Sequence, residues 1–335
     1  MRWLITGGCG FIGSALVRRL LGADPPAAGG LAVAVERVVV LDALTYAGHR
    51  AHLADVAADP RLLLVEGDIA DAGLVAALLR EQRPDLLLNL AAESHVDRSL
   101  EGAWPFLRTN VQGTQVLLDG WRAAGGGRFL QVSTDEVYGS LGSEGCWDEA
   151  APVRPSSPYA ASKAAADMLV GAAVRSWGLD AVVTRACNCV GPRQHPEKLV
   201  PRLIARALAG WELPVYGDGL NVRDWMWVGD HAEGMIRAAL RGRAGRVYNL
   251  GAGQERTNLQ MVEALLARLG PTGARVRFVA DRPGHDWRYA LDSTRARDEL
   301  GWAPGTSLEA ALDATVAWYL DRRAWWEPLT AGETP

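Results

Sequence analysis

Tyr159 and Lys163 stand four residues apart, a spacing that sets a phenol and an ammonium on one face of a helix. A cation there favours the phenolate, drawing the Tyr159 hydroxyl down from its ordinary value of ~10 toward a usable general base. Thr134-Asp135-Glu136 follows the apolar run at 129–133. Two neighbouring carboxyls at a strand end, one protonated and one ionised, can supply both the acid and the base of an elimination. The third constellation is Gly7-Gly8-Cys9-Gly10-Phe11-Ile12-Gly13, with glycines three apart between a strand and a helix. Such a turn lets the backbone approach a pyrophosphate, which rests on the helix N-terminus. Asp42 ends the next apolar run. A carboxylate there accepts both ribose hydroxyls of NAD and repels the extra phosphate of NADP. Asp68-Ile69, after the third run, suits an adenine contact or a helix N-cap equally.

Of 35 basic residues, only Lys163 and Lys198 are lysine. In an Arg-rich chain these two are either chance survivors or positions where a compact, titratable ammonium resists replacement by a guanidinium. The formal charge of -4 argues against a nucleic-acid or anionic-membrane partner, which would show a basic face. Four cysteines (Cys9, Cys146, Cys187, Cys189) give neither a disulfide framework nor a zinc spacing, so no metal is expected. No apolar stretch nears the ~20 residues that span a bilayer, and the first residues lack a signal-peptide pattern. A reduced, cytoplasmic setting is expected.

Short apolar runs at 3–6, 38–41, 62–65, 86–90, 129–133 and 181–185 alternate with amphipathic stretches such as 11–21. That is the pattern of βαβ units around a parallel sheet. Residues 24–30 read as a surface insertion, and 104–121 as one helix serving a core or a dimer face. After residue 186 the chain turns richer in Pro, Trp and loops, with helices near 197–210, 230–241, 257–269 and 307–320. The run at 246–250 suits a strand returning to the main sheet, and the residues after Trp326 a loose tail.

The glycine turn and the Tyr159–Lys163 pair resemble the extended short-chain dehydrogenase/reductase superfamily. Longer strings resemble the dTDP-glucose 4,6-dehydratases. They include residues 41–48 (Leu-Asp-Ala-Leu-Thr-Tyr-Ala-Gly), 91–99, 132–139, 196–201, 216–219, 222–225 and 281–286. Together they run from about residue 2 to 326. The resemblance implies a Rossmann-like doubly wound parallel sheet with a smaller mixed C-terminal substrate-binding lobe, divided as 1–185 and 186–330 with the returning strand interleaved.

It further implies dehydration of a nucleotide-activated hexose, foremost dTDP-glucose, by a hydro-lyase that uses NAD catalytically. Asp135 is the implied acid, Glu136 the base, Thr134 a donor at the sugar C4 oxygen, and Tyr159 with Lys163 the oxidation pair. The implied cofactor contacts are Gly7, Gly10, Phe11, Ile12, Gly13, Asp42, Ala43, Leu44, Thr45, Asp68, Ile69, Leu90, Ala91, Ala92, Ser94, Thr109, Tyr159, Lys163 and Cys189. The implied nucleotide-sugar contacts are Ser94, Thr134, Asn188, Lys198, Leu199, Leu203, Pro214, Tyr216, Arg223, Asn258, Arg282 and His285. A homodimer through helices near 104–121 and 158–176 is implied as well. The chain departs from the family at residues 187–192, Cys-Asn-Cys-Val-Gly-Pro, where Ser-Asn-Asn-Tyr-Gly-Pro is usual; Cys cannot supply an amide's hydrogen bonds. The competing readings are a dehydratase or 4-epimerase for a UDP- or GDP-linked sugar, and a dinucleotide-sensing regulator.

Overall fold

The computed structural model describes residues 1–26 and 29–330. The insertion expected at 24–30 and the tail expected after Trp326 thus lie partly outside the described residues.

Six apolar runs form the parallel strands β1 (Arg2–Thr6), β2 (Arg37–Asp42), β3 (Leu62–Glu66), β4 (Leu86–Asn89), β5 (Arg128–Thr134) and β6 (Ala181–Ala186). Their centres carry Val, Leu and Ile on both faces, because helices cover the sheet on both sides. Beyond them come β7 (Asn188–Val190), β8 (Leu213–Tyr216), β9 (Val222–Trp227) and β10 (Val247–Leu250). The sheet runs β10-β6-β5-β4-β1-β2-β3 with every pairing parallel, and β10 joins β6 at its outer edge.

Helices α1 (Phe11–Leu21) and α2 (Ala72–Gln82) cross over between the early strands. They are followed by α3 (Val96–Glu101), the short α4 (Trp104–Phe106), α5 (Thr114–Ala123) and α6 (Pro158–Trp177). One face of the sheet is packed by Leu16 and Met235, the other by Leu117 and Trp121. The expected single helix at 104–121 is interrupted: residues 107–113 are wound as a π-helix between α4 and α5. Such stretches gather at functional sites, and this one carries Arg108 and Thr109 to the mouth of the cleft.

The second half forms α7 (Leu199–Leu208), α8 (Val228–Arg241), α9 (Asn258–Leu269) and α10 (Leu308–Asp321), with the short strands β11 (Glu255–Thr257) and β12 (Val276–Val279). These make a β11-β9-β7 sheet and a β12-β8 ribbon, over a separate core that includes Ile204, Met261 and Leu312.

In an open sheet, ligands bind outside the carboxyl ends of the strands where the strand order reverses. Here that point lies between β1 and β4. It is braced from beneath by a buried polar chain. Thr6 Oγ1 donates to Asn89 Oδ1 at 2.7 Å, and Asn89 Nδ2 donates to Gln131 Oε1 at 2.9 Å and to Thr114 Oγ1 at 3.1 Å. The ends of β1, β4 and β5 are therefore fixed relative to one another before any ligand arrives.

Candidate active site

A cleft of about 570 Å³ opens at this switch point. Gly7 has φ +69, and a Cβ there would lie 2.7 Å from the Ala91 backbone nitrogen. A Cβ on Gly13 would fall 2.1 Å from the Gly7 carbonyl oxygen. Glycine is thus needed twice, once for the turn and once for close packing of α1 beneath it. Asp42, buried at the end of β2, accepts from the Cys9 backbone N–H at 2.8 Å and the Leu44 N–H at 2.8 Å. Burial raises its carboxyl, and those two backbone bonds oppose the shift. Each oxygen keeps a free lone pair for a vicinal diol. Asp68 is not the cap of α2, since Asp71 accepts from Leu74 N–H at 3.0 Å. Asp68 instead holds Arg108 in an ion pair at the cleft wall. The glycine turn, Asp42 and the Asp68–Arg108 pair could together hold a dinucleotide.

Farther along the cleft, β5 ends at Thr134, and Asp135 and Glu136 open a 3-10 turn. Thr134 Oγ1 donates to Asp135 Oδ1 at 3.2 Å and accepts from the Glu136 N–H at 3.3 Å. Asp135 is 3% exposed, and its Oδ2 has no partner. Burial first, then the neighbouring Glu136, hold Asp135 well above the usual carboxylate range. It is the protonated member of the pair. Glu136 is half-buried and also raised by burial, but Arg282, Arg223 and Lys198 pull it back toward the ionised form. The acid/base split expected from the sequence thus has a physical cause in the fold.

Tyr159 and Lys163 face the same cleft from α6. The sequence expectation of a lowered phenol is reversed. Burial and the negative field of Glu136 raise Tyr159 above its ordinary range, with a hydrogen bond to Thr134 opposing. Lys163 is itself buried and lowered to about 8, and its Nζ donates to the Val132 carbonyl at 2.6 Å. A phenol in this pocket is a neutral donor, and it becomes a base only with further positive charge beside it.

Of the other residues expected here, Phe11, Ile12, Gly10, Ala43, Thr45, Ile69, Leu90, Ala91, Ala92, Ser94, Thr109, Asn188, Cys189, Lys198 and Leu199 line the cleft. Leu44, Leu203, Pro214, Tyr216, Arg223, Asn258, Arg282 and His285 are not part of that lining. Several of these eight sit in an outer polar layer, where Tyr216 Oη donates to Asp97 at 3.1 Å and Arg282 to Asp97 at 3.3 Å. Arg223 is buried and spends its guanidinium on the Val222, Asp286 and Trp287 carbonyls, stacked 4.4 Å from the Tyr289 ring. It reaches the carboxyl pair through its field. Cys189 Sγ lies 3.3 Å from His231 Nδ1, and burial raises the thiol while lowering His231 to about 4, so both are neutral.

The sequence reading missed Arg108, Glu93, His195, Glu197 and His231, all in the lining. Glu197 had a signal, since it lies beside Lys198 in a string already singled out. Glu93 had one too, inside the string at 91–99, but His231 had none, because its contact with Cys189 spans 42 positions of chain.

The family model described as GDP-mannose 4,6 dehydratase matches residues 4–315. A dTDP-glucose 4,6-dehydratase of Streptomyces griseus is 52% identical over 333 residues, covering 99% of this chain and 98% of its own. The chain belongs to the dTDP-glucose 4,6-dehydratase family. The crystal structure of DesIV, the dTDP-glucose 4,6-dehydratase of Streptomyces venezuelae, with NAD and TYD bound, superposes with a TM-score of 0.93 at 52% identity. It covers 98% of this chain and 100% of that one. The dTDP-glucose 4,6-dehydratase of Bacillus anthracis in complex with NAD gives 0.89 at 38% identity, over 98% of this chain and 99% of that one. The Rossmann-like sheet with a smaller mixed lobe is thus the architecture of dTDP-glucose 4,6-dehydratases.

Proposed function

We propose that this chain dehydrates dTDP-glucose to the 4-keto-6-deoxy sugar, as an NAD-dependent hydro-lyase. One observation carries the reading: a buried Asp135, held well above the usual carboxylate range, stands beside a Glu136 whose burial is opposed by three cations, both lining the same cleft as Tyr159 and Lys163. A 4-epimerase has no use for that pair. Gly7 to Gly13, Asp42 and Asp68 would hold NAD, which when bound supplies positive charge, accepts hydride at C4 and returns it at C6. Tyr159 takes the C4 hydroxyl proton while Thr134 holds the C4 oxygen. The resulting ketone acidifies C5, whose proton passes to Glu136. Asp135 gives its proton to the departing C6 oxygen, and water leaves. Glu136 then returns a proton to C5. Lys198 and the outer Asp97, Tyr216 and Arg282 layer serve the nucleotide end, where a diphosphate requires cations.

We assign cofactor binding to residues 1–185 with the returning strand, and nucleotide-sugar binding to 186–330. The chain works as a cytoplasmic homodimer. Supporting the dimer, Trp104 (72% exposed), Leu107, Met168 and Trp177 leave apolar surface bare on the helices between 104 and 177. Among the described residues no helix is long and apolar enough to cross a membrane. Purified protein incubated in parallel with dTDP-, UDP- and GDP-hexoses tests the function by the alkaline absorbance of a 4-keto sugar. Product from dTDP-glucose is expected, and none from any of them would overturn the reading.

A further inference from the structure

The mechanism leaves a buried pair of charges unused. Asp167 lies one turn beyond Lys163 on α6, so Tyr159, Lys163 and Asp167 share one face at steps of four. Asp167 is 7% exposed and Arg185 6%. One carboxylate oxygen, Oδ2, accepts from Arg185 Nε at 2.9 Å and from Ser133 Oγ at 3.0 Å, while Oδ1 is buried with no partner. Ser133 immediately precedes the Thr134–Glu136 constellation. Asp167 therefore touches both halves of the machinery, the helix with the phenol and ammonium and the strand that ends in the two carboxyls.

We propose that Asp167 is a positioning residue for the oxidation step, acting as the counter-charge that keeps Lys163 an ammonium and as the tie that fixes α6 on β5.

The charge balance around Lys163 supports this. Its own helix offers Tyr159 and Asp167; β5 offers the Val132 carbonyl and the neutral Ser133; β6 offers Arg185; the turn after β5 offers Tyr138, Asp135 and Glu136. Charges on the remaining elements packed against α6 are engaged elsewhere or face solvent: Asp97 with Tyr216 and Arg282, Arg98 with Glu197, Arg108 with Asp68, Arg122 over the Trp177 ring, and Glu101 and Asp119 exposed. Burial lowers the ammonium, and Asp167 is the group that raises it again. A buried cation with one carbonyl acceptor sheds its proton readily, and a neutral amine gives Tyr159 no help in ionising.

This inference rests on the reaction proposed above, but its main test does not require turnover. With two lysines in the chain, protein labelled at lysine Cε gives two resonances, and Lys198→Arg assigns them. In Asp167→Asn the Lys163 resonance should titrate lower by about one pH unit or more. Because that variant strands Arg185, Asp167→Asn/Arg185→Gln is measured beside it and should show the same fall. Ser133→Ala keeps the charge and should leave the titration where the wild type has it. In the single and double variants the alkaline limb of C4 oxidation should move down with Lys163. An unmoved Lys163 resonance in either folded variant overturns the proposal, as does a moved resonance with an unmoved alkaline limb. Failure of the wild type to make a 4-keto sugar would strike the parent reading and leave the titration result standing.

Discussion

At the residue scale, the two adjacent carboxyls differ because their surroundings differ. In Glu136→Gln, C4 oxidation should proceed and elimination stall, so reduced cofactor accumulates in single turnover while kcat falls by about 10²–10⁴. Asp135→Asn should separate activity from stability. The native carboxyl is raised by burial, so the folded state binds a proton that the unfolded chain has already lost at neutral pH. Holding that proton costs stability once pH exceeds the unfolded value of ~3.9, and nothing below it. The amide removes the cost. Its melting temperature should exceed the wild type's at pH 7 by about 2 °C per kcal/mol relieved, the gain should vanish below about pH 4, and 4-keto product should be lost. Calorimetry across pH checks the sign. The reversal at Tyr159 belongs to this scale too: the sequence displays a lysine four residues away, but not that burial dominates or that Nζ is engaged by Val132.

At the element scale, the strands were legible and the braces between them were not. Each strand of the main sheet is a short apolar run because both its faces are covered, and that composition is local. By contrast, Asn89, Gln131 and Thr114 meet across dozens of intervening residues, and nothing about a lone amide in an apolar run names its partner. The π-helical turn was equally hidden, since 107–113 keep an ordinary helical composition. Asn89→Leu should cost about 1–3 kcal/mol by stranding Thr6 and Gln131, read as a lower urea midpoint. Gly13→Ala must displace the turn, because its Cβ would meet the Gly7 carbonyl. NAD affinity, measured by tryptophan quenching, should fall by about tenfold or more. The short strands β7, β9 and β11 also escaped the sequence reading: with three to six residues, and with Arg223 and Asp224 inside β9, they read as loop.

At the scale of the whole molecule, the bare apolar surface on α4, the π-helical turn and α6 is the feature open to test. Leu107→Asp with Met168→Asp should yield a monomer by light scattering, with each active site folded as before; an unchanged mass would sink the dimer. The order of the strands has another consequence. Strand β10 closes the edge of the sheet beside β6, yet it follows β6 in the chain only after β7, α7, β8, β9 and α8. At ~5–20 residues per second, a nascent chain waits several seconds between emergence of β6 and of β10. During that interval β6 presents unpaired amide and carbonyl groups to solvent, a template for mispairing with a neighbouring chain. Synthesis order therefore makes the first 185 residues a poor stand-alone fragment, and a stop before residue 247 should send product into aggregates.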